Sequence, residues 1–291
     1  MRDDAVTILA GAVLSLADWA RPGRARAIGG SLAELGQAAP QRWGRGEPAR
    51  RRLPDPLPAF LEEWSPRFGT QDSVLFLDGE RASIWLESCP ATSGGSVPSF
   101  LLDRCFNEIG IELDQAWFEE VGGGLDVAAS VFTSLCESSD AFYGHLTPSE
   151  LLAQSMSLRG DGVDAGVIDV PNFGADPKHP YSSESCYVED VGWLNYFGPA
   201  FVARWTRAAF DQVGVRREWT ENGGVVVWSC PRPPEYESVD SIGAYEWKRT
   251  FYDALDSDAF VHEGFELGAV GERVPTFDEH RAHLRPAEGL K

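Results

Sequence analysis

The sequence lacks the long apolar runs and the cysteine pattern of a membrane-spanning or disulfide-linked protein. No stretch reaches the roughly 18 consecutive apolar residues that indicate a transmembrane helix. The five cysteines are odd in number and include no Cys-x-x-Cys pair, which is typical of free thiols in a reducing compartment. Residues 5–17 are apolar, but Asp3 and Asp4 stand where a signal peptide carries basic residues. We therefore expect a cytoplasmic protein whose N-terminal segment is an ordinary helix.

The sequence also lacks the signature motifs of common catalytic sites. It contains no Gly-x-Ser-x-Gly, no His-Glu-x-x-His and no P-loop. Three consecutive glycines at residues 122–124 precede a predicted helix, but without P-loop spacing they indicate a structural turn. We expect no catalytic residues, no metal and no cofactor.

Two groups of potentially catalytic or metal-binding residues leave a hydrolase-like enzyme as an alternative. Cys186 and His179 could form a nucleophile–base pair within one long loop. His262, His280 and His283 could together bind a metal, although the spacing of the last two fits one helical face only approximately. The ordinary interpretation of these histidines is a solvated position on a helix surface.

Negative charge is present in excess, and it is unevenly distributed. The formal net charge is −20 at pH 7. Residues 1–53 carry nine Arg and five acidic residues, whereas the remaining chain carries 16 basic and 40 acidic residues. An acidic body repels the phosphates of nucleic acids and attracts cationic proteins, although acidity can also serve solubility alone. We expect a basic protein partner, with no binding to nucleic acid or to membranes.

The apolar pattern predicts an α+β fold with a mixed or antiparallel sheet packed with helices. Residues 1–57 are predicted to form a helical, Arg/Pro-rich region with a connector, and residues 58–291 an acidic α+β domain. Asp-Gly and Asn-Gly turns predict hairpins at residues 74–86 and 213–230. Further helices are predicted at residues 30–37, 100–109, 125–135, 200–210 and 241–255, and strands at residues 111–121, 141–145 and 191–196.

An aromatic cluster follows the long loop that is predicted at residues 159–189. Trp193, Tyr196, Phe197, Phe201 and Trp205 fall within thirteen residues. Packing in the core is the ordinary interpretation of such a cluster. Any exposed member would instead anchor a protein partner, because aromatic side chains dominate interface energetics.

The segment that contains this cluster resembles a motif of bacterial polymorphic-toxin immunity proteins. In that motif a strand ends in an aromatic-Gly-Pro turn before a helix. The residues that match it are Gly192, Trp193, Tyr196, Phe197, Gly198 and Pro199. The Gly-Gly-Val-Val-Val run at residues 223–227 and the Gly-Glu-Arg-Val-Pro run at residues 271–275 are similar to the same group. The resemblance implies a cytoplasmic protein that blocks a cognate toxin, often a nuclease, and it brings no catalytic residues.

The sequence therefore predicts an immunity-type binding protein that covers the active surface of a basic toxin. Acidic side chains of the long loop are the expected contacts, with tyrosines as anchors. These residues are Asp161, Asp164, Asp169, Asp176, Tyr181, Glu184, Tyr187, Glu189 and Asp190. A third possibility is a structural or scaffold subunit of a bacterial or phage assembly, with the aromatic cluster buried between copies.

Overall fold

The computed structural model contains one ten-stranded antiparallel sheet with helices packed against it, which confirms the predicted α+β class. The structure describes residues 8–15, 17–68, 70, 74–88, 107–121, 123–150, 191–234, 250–251 and 254–255. Among these residues, no helix is long and apolar enough to cross a membrane.

The strands are short and antiparallel throughout. In chain order they are β1 (Ile8–Ser15), β2 (Arg42–Gly44), β3 (Arg51–Arg52), β4 (Val74–Asp78), β5 (Ala82–Glu87), β6 (Asn107–Asp114), β7 (Ala141–Pro148), β8 (Leu194–Phe197), β9 (Arg216–Trp219) and β10 (Val225–Trp228). Across the sheet their order is β3-β2-β4-β5-β6-β1-β7-β8-β10-β9. The predicted division after residue 57 therefore does not separate two sheets, because β1 pairs with β6 and β7, and β2 pairs with β4.

The helices begin and end where the sequence carries recognisable signals. They are α1 (Pro22–Ala33), α2 (Leu57–Trp64), α3 (Gln115–Glu120), α4 (Leu125–Ser139) and α5 (Pro199–Phe210), with 3₁₀ turns at Gly36–Ala38 and Ser65–Arg67. Proline stands in the first turn of α1, α2 and α5, where its missing N–H has no helical partner to lose. The Asp114 side chain caps α3 by accepting a hydrogen bond from the Trp117 N–H at 3.0 Å.

The prediction of an N-terminal helix over residues 5–17 is wrong, because β1 occupies Ile8–Ser15 in the middle of the sheet. It pairs with β6 on one side and with β7 on the other. Both faces of a central strand are covered, so its residues form a nearly continuous apolar run that also matches a helical pattern. Gly11 suits this strand because a Cβ at that position would overlap the carbonyl oxygen of His145 on β7.

Several other predictions can be compared with the described residues. Both hairpins, the helix at residues 125–135 and the strand at residues 141–145 are confirmed. The helix at residues 200–210 forms with a kink at Thr206, where φ is 67°, and the strand predicted at residues 191–196 begins only at Leu194. The helix predicted at residues 100–109 is wrong over its last three residues, which belong to β6, and its first seven lie outside the described residues. The strand predicted at residues 111–121 gives way to α3 after Asp114, and the helix predicted at residues 30–37 lies at the end of α1. Most of the helix predicted at residues 241–255 lies outside the described residues.

Two apolar cores lie on opposite faces of the sheet. The first packs α1, α2 and α4 against one face. The second packs α5, with Phe251 and Leu255, against the other face near β7, β8 and β10. Because side chains alternate along a strand, Tyr196 enters the first core and its neighbour Phe197 enters the second. Strand β8 therefore joins the two cores.

Candidate binding groove

A groove of about 410 Å³ opens where the ends of β8, β9 and β10 approach the turn between α3 and α4. We call it the Trp–Arg groove, after its two tryptophans and two arginines. Its lining residues are Glu119, Gly124, Leu125, Asp126, Trp193, Val215, Arg216, Trp228, Pro231 and Arg232. Four separate segments of the chain thus contribute to one concave surface.

The groove combines apolar side chains with charged ones. Trp193 and Trp228 are buried, while Val215 is 59% exposed. The Arg216 guanidinium lies over the Trp228 ring, 4.3 Å from its centroid. An arginine stacked flat on an indole presents its N–H groups at the edges of the guanidinium, where carboxylates can accept hydrogen bonds from them.

Arg216 is held in place by carboxylates from two elements. Its Nη1 lies 3.0 Å from an Asp126 oxygen at the start of α4, and its Nε lies 3.0 Å from a Glu218 oxygen within β9. Hydrogen bonds to Glu218, and then to Asp126, raise the pKa of Arg216 above its ordinary value. The guanidinium therefore stays protonated, and the groove carries fixed charges of both signs.

A buried hydrogen-bond network sets the position of Trp193. The Asn195 side chain accepts from the Gly192 N–H at 2.7 Å and donates to the Gly192 carbonyl and to Ser229 Oγ, both at 3.0 Å. Ser229 Oγ also donates to the Gly192 carbonyl at 2.7 Å. Trp193 itself donates from Nε1 to the Cys230 carbonyl at 3.1 Å. Because these groups are buried and mutually satisfied, the indole is fixed before any partner arrives.

The described nucleophiles beside this region are held in their unreactive forms. Burial raises the pKa of Cys230 to about 11 and raises the pKa of the fully buried Cys136 thiol well above its ordinary value. Burial also raises the pKa of the Tyr196 hydroxyl. A thiol or phenol that keeps its proton at pH 7 is a poor nucleophile. Among the described residues, moreover, no group of three or more His, Cys, Asp or Glu side chains could hold a metal ion.

The raised pKa of Cys230 predicts that this thiol is alkylated slowly at neutral pH in the native protein. The rate constant for iodoacetamide should keep rising to a midpoint near pH 11, because only the thiolate reacts. Mass spectrometry of the peptide that contains Cys230 measures this rate, and the buried Cys136 in the same digest serves as the internal control. A midpoint at or below about 8.5, the value for a free cysteine, would contradict the assignment.

The structure places the family-like motif in the interior. Trp193, Tyr196 and Phe197 are buried, as are Phe201 and Trp205, so these aromatics pack within the chain. The Gly198 N–H donates to the carbonyl of Phe142 on the neighbouring strand β7 at 2.8 Å, and Gly198 is the N-cap residue of α5, which starts at Pro199. The ordinary interpretation of the aromatic cluster as core is therefore correct, with Trp193 also lining the groove.

The other sequence-predicted site residues lie outside the described residues. They comprise the nine expected partner contacts between residues 161 and 190, the Cys186–His179 pair, the three histidines His262, His280 and His283, and the run at residues 271–275. The groove residues Asp126, Val215, Arg216 and Trp228 were missed by sequence reasoning. The hairpin that carries three of them was predicted, but nothing in the sequence indicates that it meets the start of α4.

Comparison with known proteins gives one informative likeness. No family model matches this chain. No curated protein matches it either. A solved structure described as the Pseudomonas aeruginosa T6SS protein PA0821 superposes with a TM-score of 0.55 at 13% identity. The match covers 90% of this chain and 79% of that chain, and it shows that the two share a fold.

Proposed function

We propose that this chain is an immunity-type binding protein that neutralises a cognate, cationic bacterial toxin by covering its active surface. The observation that carries the proposal is the Trp–Arg groove, which has the anatomy of a protein-binding surface. Buried tryptophans form its floor, an arginine is stacked on one of them, and charged side chains surround both. Because both tryptophans are buried, a partner would contact mainly Arg216 and the exposed Val215, and arginine is among the residues on which interface energies most often depend.

The charge of the chain supports a cationic partner. A net charge of −20 attracts a basic protein over a distance of about one Debye length and raises the rate of encounter. The groove then supplies short-range contacts of both signs. We further propose that the acidic residues between residues 161 and 190 contact the same partner.

Two likenesses are compatible with this role. The motif at residues 192–199 resembles polymorphic-toxin immunity proteins. The fold is shared with a T6SS protein of Pseudomonas aeruginosa, and a toxin with its inhibitor would suit such a bacterial system.

Neutralisation is tested directly by co-expression. The product of the neighbouring gene should arrest bacterial growth when expressed alone, and this chain should restore growth and co-purify with it. A non-toxic neighbour, together with the absence of any basic protein in a pull-down, would remove the proposal.

A matched pair of surface substitutions tests the groove. Val215 lines it, whereas Val121, which is 65% exposed, does not. Val215→Lys should weaken toxin binding at least about tenfold, since it places a charge in an apolar contact, and Val121→Lys should change binding less than about twofold. Both variants add the same charge, so the difference between their affinities, measured by surface plasmon resonance, reports the contact itself and not long-range attraction. Equal losses of affinity in the two variants would contradict a contact at the groove.

Long-range attraction is tested by the salt dependence of association. The association rate constant of the wild-type protein with the toxin should fall as salt is added, and a salt-independent rate would contradict the proposal.

A further inference from the structure

A second charged surface lies at the opposite edge of the sheet. Its arginines come from β2, from β3 and the residue before it, and from the 3₁₀ turn that follows α2. We call it the arginine edge, and its members are Arg42, Arg50, Arg51, Arg52 and Arg67, all exposed. Strand β3 is the outermost strand at this end, and β9, beside the Trp–Arg groove, is outermost at the other. Nine strand spacings of about 4.8 Å separate the two edges by roughly 40 Å, so the surfaces can be tested independently.

The arginines of this edge differ from several other described arginines in forming no ion pair, although the Asp78 carboxylate stands opposite Arg42 on the neighbouring strand β4. Within the part of the chain that the structure describes, its five arginines form no ion pair. Arginines elsewhere do, as in the pairs of Arg26 with Glu62 and of Arg81 with Asp114, both at 2.7 Å. In a chain with a net charge of −20, these arginines are a distinct local feature. Because side chains alternate along a strand, Arg42 and Arg52 lie on one face of the sheet edge, and Arg51 lies on the other face, with Trp43.

The register of the strands adds like-charge repulsion to this surface. Arg42 on β2 stands directly opposite Arg52 on β3. Like charges at directly opposed positions destabilise a β-ladder. A bound anion between the two guanidinium groups would convert that repulsion into attraction.

Two tryptophans hold neighbouring guanidinium groups in fixed planes. Arg51 lies over Trp43, 4.9 Å from the ring centroid, and Arg67 lies over Trp64 at 4.6 Å. The two indoles contact each other edge to face, with centroids 5.3 Å apart. A stacked guanidinium has lost much of its freedom already, and its fork of N–H groups matches the two oxygens of a carboxylate.

We propose that the arginine edge binds an extended acidic segment of a protein. Its alternating side chains would bring Asp or Glu carboxylates to Arg42 and Arg52 on one face of the sheet and to Arg51 on the other. The outer side of β3 pairs with no described strand, so an extended segment can also hydrogen-bond to its backbone. Each carboxylate accepts a charge-assisted bidentate bond. This is a second contact surface, of opposite charge preference to the one that the proposed function assigns.

An acidic peptide fits this surface better than a nucleic acid does. Duplex DNA carries one negative charge per roughly 1.7 Å of its axis, and a body with a net charge of −20 repels such a polyanion as a whole. A short acidic segment carries few charges. At physiological salt, its repulsion by the acidic surface of the rest of the protein is screened at distances beyond about 8 Å. It also offers backbone groups for β3, which nucleic acids lack.

The binding experiment uses fluorescence anisotropy with the full-length chain. A fluorescein-labelled, extended Asp/Glu-rich peptide is titrated, alongside a Lys-rich peptide and a single-stranded DNA of similar length. The acidic peptide should bind saturably, and Arg51→Gln and the double variant Arg42→Gln/Arg52→Gln should each weaken it about tenfold or more. Arg207→Gln is the matched control, because Arg207 is also exposed and stacked on a tryptophan, 4.4 Å from the Trp219 centroid. It should change the affinity less than about twofold.

Thermal unfolding provides a second readout that does not depend on measured affinity. Arg52→Gln should raise the unfolding temperature of the free protein, since it removes the repulsion with Arg42, and should abolish the further stabilisation by the acidic peptide. A lower unfolding temperature would contradict the repulsion. Absent or non-saturable binding of the acidic peptide would overturn the proposal, as would an equal loss of peptide affinity in Arg207→Gln. Tighter binding of the DNA than of the peptide would also overturn it. So would a dimer of the free protein that Arg52→Gln dissociates, because a second copy would then occupy the edge.

Discussion

Replacement of Phe197 by alanine is expected to lower the free energy of unfolding by about 4 kcal/mol, the largest effect that we predict for a single side chain. Phe197 is fully buried in the second core. Its ring centroid lies 5.3 Å from that of Phe210, 5.6 Å from that of Tyr143 and 5.7 Å from that of Trp205. Alanine would leave a cavity where strand β8 and helix α5 meet. Urea unfolding followed by far-ultraviolet circular dichroism measures the loss.

The control for this cavity is Val121→Ala. Val121 is 65% exposed, so truncation of its side chain should change the free energy of unfolding by less than about 0.5 kcal/mol. If Phe197→Ala cost less than about 1 kcal/mol, the second core would be able to collapse around the missing ring. Phe197 would then not be the side chain that joins β8 to α5.

Replacement of Asn195 by alanine is expected to cost about 3 kcal/mol, although it removes only a small side chain. The Gly192 N–H and carbonyl and Ser229 Oγ all hydrogen-bond to Asn195 in the interior. Without the amide, the Gly192 N–H is left buried and unpaired, and an unpaired buried donor costs more than a hydrogen bond is worth. Urea unfolding of the purified variant tests this value.

A double-mutant cycle separates this network from a general packing defect. Ser229→Ala alone should be destabilising, and Asn195→Ala/Ser229→Ala should cost at least 0.5 kcal/mol less than the sum of the two single changes, because both side chains serve Gly192. Strict additivity would show that Asn195 and Ser229 act independently. The same variants should weaken partner binding, since the network positions Trp193 at the groove.

The fold class, both hairpins and the helices α4 and α5 could be read from the sequence, because their signals are local. The Asp-Gly and Asn-Gly turns mark both hairpins, and Gly198 with Pro199 marks the start of α5. The segment at residues 5–17 could not be read in this way. Its apolar residues suit a helix face and a strand buried on both faces equally well, and only the pairing with β6 and β7 decides between them.

The groove could not be predicted from the sequence because it depends on contacts between distant parts of the chain. Asp126 and Arg216 are 90 positions apart in the chain, and their contact depends on where α4 begins relative to the sheet edge. The aromatic motif at residues 192–199 drew attention to the right segment. Most of its side chains, however, pack in the cores, and Trp193 alone among its aromatics lines the groove.

The central position of β1 has a consequence for biosynthesis. This strand lies between β6 and β7, so its backbone cannot be fully hydrogen-bonded until residue 148 has left the ribosome. At a synthesis rate of roughly 5–20 residues per second, β1 is made several seconds before the strands that pair with it. During that interval its unpaired edges are open to aggregation, and chaperone binding to nascent β1 is the natural protection.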